Sequence, residues 1–177
     1  MAEHAPDLEA QLAPLIPALR RYARALLRDR TAADDLVHDC LERAIGRWSQ
    51  RRGDARTWVL AILHNLAMNQ LRRSTRRGRH VELADADAGD PALARPATQQ
   101  DRLQHEELLR ALAQLPEDQR SVLLLVGVED LSYADAARVL AVPIGTVMSR
   151  LSRARERLHR LLADDAAALP VALRSVP

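Results

Sequence analysis

The sequence contains no lysine, no phenylalanine and a single cysteine, Cys40. Without a second thiol the chain has neither a disulfide framework nor a thiolate zinc cluster, which fits a reducing, intracellular environment. The six histidines form no chelating pair at helical spacing, so we expect no metal site and no cofactor. Aromatic residues are only 2% of the chain against 47% apolar residues. The core must therefore be built from Leu, Ala, Val and Ile, which favours helices.

Long apolar runs are also missing. The longest charge-free run, Thr57 to Leu71, is too short to span a bilayer and is interrupted by histidine and amide side chains. The first residues lack the basic start and apolar run of a secretory signal. These features predict a cytoplasmic protein with no direct membrane insertion.

Catalytic signatures are absent as well. The sequence shows no nucleophile, no paired catalytic carboxylates, no Gly-rich phosphate loop and no zinc motif. We therefore expect a protein that is not an enzyme and has no small-molecule substrate. Its function must depend on what its surfaces bind.

Positive charge is unevenly distributed. All 26 basic residues are arginine, and the net charge is only +2. Residues 7–79 carry 15 Arg and 8 acids, whereas residues 81–100 carry one Arg and four acids. Residues 144–162 carry five Arg and one Glu. Two basic surfaces of the kind that face nucleic acid are predicted, although an arginine-rich composition can also reflect genome-wide coding bias.

Apolar spacing predicts an all-α fold of two small helical bundles joined by a flexible linker. Three helices are predicted in the first bundle. The first covers 8–27 and is interrupted or started near its prolines, and the second begins at the capping-box-like Thr31. A loop at 46–54 follows, and the third helix covers 57–73. The predicted divisions are a first bundle at 8–80, a linker at 81–100, a second bundle at 101–165 and a flexible tail at 166–177.

The second bundle contains a helix-turn-helix pattern. Ser132, with Asp135 three residues later, is predicted to cap a helix from Tyr133 to Leu140. The next residues break that helix, and Pro143 is suited to start another, because its fixed φ is helical and its missing N–H is not needed there. Two helices joined by a three-residue turn form the motif that reads DNA in many regulators.

The second helix of this motif has one apolar face. Its inward positions recur every three or four residues, at Val147, Leu151, Ala154, Leu158 and Leu161. Guanidinium and hydroxyl groups occupy most of the remaining sides, at Thr146, Met148, Ser149, Arg150, Ser152, Arg153 and Arg157. Arginine can bond guanine bidentately or pair with phosphate, so this helix suits a major groove. The alternative is an arginine-decorated surface helix of a small bundle.

Two sets of segments resemble one known family. LPEDQRSVLLLVGVEDLSYADAARVLAVPIGTVMSRLSRARERL resembles region 4 of the extracytoplasmic-function (ECF, group 4) sigma-70 family, and ADDLVHDCLERAI and TWVLAILHNLAMNQLRR are similar to its region 2. The resemblance spans about residues 8–162. It implies a partner, core RNA polymerase with its β′ clamp and β flap, and two promoter DNA elements, minus-35 read by region 4 and minus-10 read by region 2.

The resemblance also implies roles for particular residues in DNA binding. Minus-35 contacts would come from Thr146, Met148, Ser149, Arg150, Ser152 and Arg153, with Arg155 and Arg157 on phosphates; Met148 departs from the family, in which a basic residue is common there. Asn65 and Asn69 match positions that capture a base flipped out of the minus-10 element, and Arg72, Arg73, Arg76 and Arg77 would hold its backbone. The alternative is that the two amides are merely solvated. Trp58 and Trp48 are predicted to pack.

The resemblance assigns protein partners as well. Polymerase contacts are expected from the second helix at Asp35, Leu36, Asp39, Leu41 and Glu42, and family members are typically held inactive by an anti-sigma factor. Cys40 is predicted to be a packing residue rather than a sensor. Two other functions remain open from the residues alone: a stand-alone helix-turn-helix regulator, which should dimerise on duplex DNA, and a helical adaptor whose arginines contact protein.

Overall fold

The structure is a computed structural model that describes residues 5–76 and 99–168, with side chains from 8 to 74 and from 103 to 163. Within those ranges every regular element is a helix, which confirms the all-α prediction. The α-helices are α1 (Ala5–Leu12), α2 (Ile16–Leu27), α3 (Arg30–Gly46), α4 (Ala55–Arg76), α5 (Gln99–Ala113), α6 (Glu117–Gly127), α7 (Tyr133–Leu140) and α8 (Ile144–Ala168). Most of the predicted linker and tail lies outside the described residues, but α5 begins at 99 and α8 continues to 168.

The first half begins with a helix that is broken as its prolines require. A short 3₁₀ turn, Ala13–Leu15, separates α1 from α2. Arg28 then takes a left-handed conformation with φ of 61° and ends α2. The cap of α3 differs from the prediction, because Asp29 rather than Thr31 accepts the hydrogen bond from the backbone N–H of Ala32, at 2.9 Å.

A second aspartate starts α4. Asp54 accepts hydrogen bonds from the backbone N–H and the hydroxyl of Thr57, at 2.8 and 3.0 Å. The preceding segment, predicted as a plain loop, contains a 3₁₀ turn at Trp48–Gln50. Trp48 packs edge-on against Trp58 with ring centroids 6.0 Å apart, and both rings lie partly buried against the core. Both tryptophans therefore pack, as predicted.

The helix-turn-helix forms at its predicted positions. The hydroxyl of Ser132 accepts a hydrogen bond from the backbone N–H of Asp135, and α7 runs from Tyr133 to Leu140. Ala141 takes a left-handed conformation with φ of 53°, and Pro143 immediately precedes α8. The local cap and breaker residues thus define where both helices begin and end.

One continuous hydrophobic core joins the two halves of the chain. Buried side chains from α2 and α4, among them Leu26 and Leu63, belong to the same cluster as Leu125 of α6 and Val139 of α7. Helix α4 packs against α7, and α2 packs against α6. The two helical units are therefore docked on each other in this structure.

Candidate nucleic-acid interface

Helix α8 buries its apolar stripe and presents its polar sides to solvent. Val147, Leu151 and Ala154 are at most 2% exposed, as the periodicity predicts. The exposed positions include two apolar side chains, Ile144 and Met148. They also include a set of hydroxyl and guanidinium groups at Ser149, Ser152, Arg153, Arg155 and Arg157. Thr146 is half-buried, and its carbonyl accepts a hydrogen bond from the Ser149 hydroxyl at 3.1 Å. This side of α8 has the size and chemistry of a helix that enters a major groove.

Arg150 differs from the other predicted minus-35 residues. Its Nε lies 3.1 Å from a carboxylate oxygen of Asp118 in α6, and its side chain is only 28% exposed. It also lines a cavity of about 480 Å³, whose other wall includes His64 and Arg72 of α4. Arg150 therefore faces the first half of the chain, whereas Arg153 and Arg157 are exposed to solvent.

Two exposed amides line a small open cavity on α4. Asn65 and Asn69 stand four residues apart, and their side chains border a cavity of about 130 Å³ over apolar Ile62. Each amide offers both donors and an acceptor, as recognition of a base edge requires. Both amides thus lie on one helix face, as their spacing predicts.

Sequence reasoning missed two arginines of this cavity. Arg43 and Arg47 at the end of α3 line it together with the amides. Their four-residue spacing in the sequence was the available signal, although Arg47 follows the last residue of α3. Only the packing of α3 on α4 brings both arginines to the amides. Guanidinium groups at the rim of a polar cavity can hold a phosphate while amides bond the attached base.

The four arginines predicted to hold the minus-10 backbone, Arg72, Arg73, Arg76 and Arg77, do not share one environment in the structure. Arg72 and Arg73 are exposed, but Arg72 lines the larger cavity next to α8 rather than the amide cavity. The side chain of Arg76 and the whole of Arg77 lie outside the described residues. The four predicted backbone contacts therefore do not form a single described patch.

A buried polar cluster lies where α2, α4 and α6 meet. The Tyr22 hydroxyl is 3.0 Å from His64 Nδ1. Ser121 of α6 is fully buried in the same region, and its hydroxyl donates to the Glu117 carbonyl at 2.7 Å. Burial, with Arg150 and Arg72 adding like charge, lowers the pKa of His64 to about 4. Burial likewise raises the pKa of the Tyr22 phenol. His64 was predicted only as an interruption of an apolar run, and nothing local marks it as buried.

The predicted polymerase contacts on α3 lie at different depths. Asp35, Asp39 and Glu42 are exposed, and Leu41 is half-buried. Leu36 differs, since it is 4% exposed and packs in the core with the rest of the apolar stripe of α3. Leu36 therefore packs beneath the exposed acidic strip formed by Asp35, Asp39 and Glu42, and its side chain cannot contact a partner in this arrangement. Cys40 is also buried, as predicted, which raises the pKa of its thiol to about 12.

Two further features are absent from the described residues. No helix there is long and apolar enough to cross a bilayer. Those residues also contain no group of three or more His, Cys, Asp and Glu side chains that could hold a metal ion.

Comparison with known proteins defines the class. Residues 105–158 match a family model described as "Sigma-70, region 4", and residues 12–64 match one described as "Sigma2 domain of PhyR". The first match contains the helix-turn-helix, and the second contains α3 with the start of α4. A helical unit of the sigma2 type followed by a region-4 helix-turn-helix is the organisation of a sigma factor, a DNA-binding transcription initiation factor.

Individual relatives narrow the class to one family. The chain is 37% identical over 163 residues to the ECF RNA polymerase sigma factor EcfG of Rhodopseudomonas palustris, covering 91% of this chain and 88% of that protein. It is 41% identical over 149 residues to SigC of Mycobacterium tuberculosis, covering 79% and 74%. The chain belongs to the ECF family of RNA polymerase sigma factors.

A solved structure is similar over most of the chain. The sigma factor RpoE of Bartonella quintana, co-crystallised with the anti-sigma factor NepR, has a TM-score of 0.74 and 32% identity. The match covers 90% of this chain and 98% of that one. The likeness therefore includes both halves of the chain.

Proposed function

We propose that the protein binds bacterial core RNA polymerase in the cytoplasm and directs transcription initiation at promoters with a minus-10 and a minus-35 element. The observation that carries the proposal is the exposed hydroxyl and guanidinium side of α8, held by a capped helix-turn-helix. Membership of the ECF family supports it. In this role the protein is a DNA-binding initiation factor rather than an enzyme.

Each surface then has a separate task. The exposed side of α8, with Arg153 at its centre, contacts the minus-35 element, and the cavity of Asn65 and Asn69 takes a flipped minus-10 base. Arg43 and Arg47 hold the adjoining phosphates. The acidic strip of α3 meets the β′ clamp of the polymerase through Asp35, Asp39 and Glu42, with Leu41 at its margin, while the second half meets the β flap.

We also propose that an anti-sigma factor restrains the protein. The support is the Bartonella relative, which was solved in complex with such a factor and matches this chain over both halves. A restraint of this kind keeps an initiation factor from the polymerase until a signal removes it. Pull-down of a co-expressed anti-sigma candidate with the full chain tests this.

Reconstitution tests the main proposal. The purified protein is mixed with bacterial core polymerase and a library of bipartite promoters, and initiation is measured. We expect a stable complex and transcripts that depend on both elements. Binding to duplex DNA as a dimer without polymerase would instead support a stand-alone regulator, and protein binding without any DNA dependence would support an adaptor. Failure to bind core polymerase contradicts the proposal.

The amide cavity yields the first mutational prediction. Asn65→Ala or Asn69→Ala is expected to lower initiation roughly 5- to 150-fold and to relax base preference at one minus-10 position, since a bidentate base contact contributes about 1–3 kcal/mol. Because both amides are exposed, the free energy of unfolding should change by no more than about 0.5 kcal/mol.

The matched control is Gln70→Ala. Gln70 is an amide on the same helix that does not line the cavity, so its replacement should leave base preference unchanged. A large loss of stability in the Asn65 or Asn69 variant would show that these amides are structural instead.

A further inference from the structure

Helix α8 begins with two apolar side chains that the core does not bury. Ile144, the first residue of the helix, is 50% exposed, and Met148 is 53% exposed. Residues four positions apart lie on one face of a helix, so the two side chains are neighbours. Among the described residues, no other two exposed large apolar side chains stand three or four positions apart on one helix. We call Ile144 and Met148 the apolar patch.

The apolar patch is continuous with the polar side of α8. Val147 and Leu151 are at most 2% exposed and fix which side of the helix faces the core. Ser152 and Arg155 follow Met148 by four and seven positions, so they continue the same face, and both are exposed. The apolar patch is therefore the first part of a surface whose later part carries hydroxyl and guanidinium groups.

The place of the apolar patch within the helix-turn-helix indicates what it contacts. In this motif the N-terminal residues of the second helix contact base edges in the major groove. Pro143 immediately precedes α8, so Ile144 and Met148 both lie in its first two turns. The two apolar side chains thus occupy the part of α8 that enters a groove most deeply.

The surface next to the apolar patch is low. Gly145 has no side chain, and a methyl group at this position would meet nothing within 4 Å. Its backbone is not left-handed, so neither packing nor conformation requires a glycine here. Ser149, four residues later on the same face, is small and exposed. Small side chains at both positions let the backbone of α8 approach a partner closely.

One group in the major groove matches an apolar side chain. Every base pair presents hydrogen-bond donors or acceptors there, and thymine adds an apolar group, its C5-methyl. An apolar side chain pressed against the edge of another base would leave donors or acceptors unpaired, which is unfavourable. It cannot pair with a phosphate either. The apolar patch therefore fits thymine better than it fits any other base.

We propose that Ile144 and Met148 select a thymine in the minus-35 element by packing against its C5-methyl group. This selection rests on the proposed function, which brings α8 to that element, and it adds the identity of a base. The exposed arginines of α8 hold the helix on the DNA, and the apolar patch discriminates between sequences. Met148 is thus a specificity-determining residue although it carries no charge.

Replacement of thymine by uracil tests the contact directly. Uracil pairs with adenine as thymine does and lacks only the methyl group. Holoenzyme formed from the full chain and bacterial core polymerase is bound to a promoter in which each thymine of the minus-35 element, on either strand, is replaced in turn. We expect at least one replacement to lower the affinity about fourfold, the effect of removing one buried methyl-sized group.

Variants of the apolar patch assign this effect to its side chains. Ile144→Ala combined with Met148→Ala should bind the thymine and uracil promoters equally, whereas Met148→Leu remains apolar and should still prefer thymine. Both positions are at least half exposed, so the unfolding midpoint should not change. The matched control is Leu103→Ala in α5, where the leucine is 56% exposed, and it should keep the full preference for thymine.

Two results would overturn the thymine contact while the proposed function stands. One is a holoenzyme that requires the minus-35 element but is indifferent to every thymine methyl group. The other is a methyl preference that persists in the double alanine variant. If that variant instead loses affinity for core polymerase, or loses a dimer that the parent forms, the apolar patch contacts protein.

Failure of the proposed function is seen at an earlier step. A chain that forms no complex with core polymerase contradicts the proposed function before any promoter is added, and the thymine contact falls with it. A complex that initiates at both promoter elements leaves the uracil series to decide the role of Ile144 and Met148 alone.

Discussion

Replacing Arg153 by alanine is expected to weaken minus-35-dependent promoter binding roughly 5- to 150-fold, the loss of about 1–3 kcal/mol that a bidentate arginine–guanine contact supplies. Arg153 is exposed on the polar side of α8, next to the buried Leu151 and Ala154 that fix the orientation of the helix. Its removal should leave the unfolding midpoint and the affinity for core polymerase unchanged. Holoenzyme binding to promoters with an intact and a scrambled minus-35 element measures the effect.

Two further variants separate the kinds of contact. Arg153→Lys retains a charge for phosphate but cannot form the planar two-bond contact with guanine, so it should remain defective if Arg153 contacts a base. If Arg153 contacts a phosphate instead, Arg153→Ala should lower the salt slope of binding by about one, and lysine should restore it. The control is Arg160→Ala, two turns further along α8, where Arg160 is exposed and lies 3.9 Å from Glu156. Equal loss from Arg160→Ala would contradict a specific role for Arg153.

Acidification is expected to destabilise the fold through His64. Its pKa is about 4 in the folded chain and about 6.5 when unfolded, so the unfolded state binds the proton more tightly. The stability that neutral His64 contributes is present above pH 6.5 and is lost as the pH falls towards 4. The expected loss between pH 7 and pH 4 is about 3 kcal/mol, from 1.36 kcal/mol per pKa unit.

The measurement is urea unfolding of the parent and of His64→Gln at both pH values. Glutamine does not titrate, so the drop on acidification should be about 3 kcal/mol smaller in the variant than in the parent. Comparing the two drops isolates the contribution of His64, because every other titrating group is the same in both proteins. His159→Gln, at an exposed position of α8, is the control and should behave as the parent does. Equal drops in the parent and His64→Gln would contradict the burial of His64.

Local signals in the sequence predict the helix-turn-helix well. The cap at Ser132, the break before Pro143 and the apolar stripe through Val147 and Leu151 all lie within a few residues of the structure they determine. The same holds for the paired amides, because Asn65 and Asn69 share a face through helical spacing alone. The cap of α3 was predicted wrongly, because Asp29 and Thr31 are both suitable N-cap residues and the structure uses Asp29.

Features that depend on distant parts of the chain could not be predicted. Glu129 is fully buried, and its carboxylate accepts hydrogen bonds from Arg21, which is 108 residues away in the sequence. Nothing near Glu129 in the sequence marks it as buried. His64 and Arg150 become neighbours only because α4 and α8 border the same cavity. Arg43 and Arg47 needed the packing of α3 on α4 to join the amides. Charge and hydrophobic periodicity predict the faces of each helix separately. These contacts form only when the helices pack against one another, so no local pattern predicts them.

The burial of Cys40 provides a reporter for one half of the molecule. Its Sγ lies 3.5 Å from the Val59 carbonyl, between α3 and α4 and within the first half. Alkylation of this thiol requires α3 and α4 to come apart, whereas separation of the two halves leaves it covered. The rate of thiol modification therefore distinguishes melting of the first helical unit from mere undocking of the second.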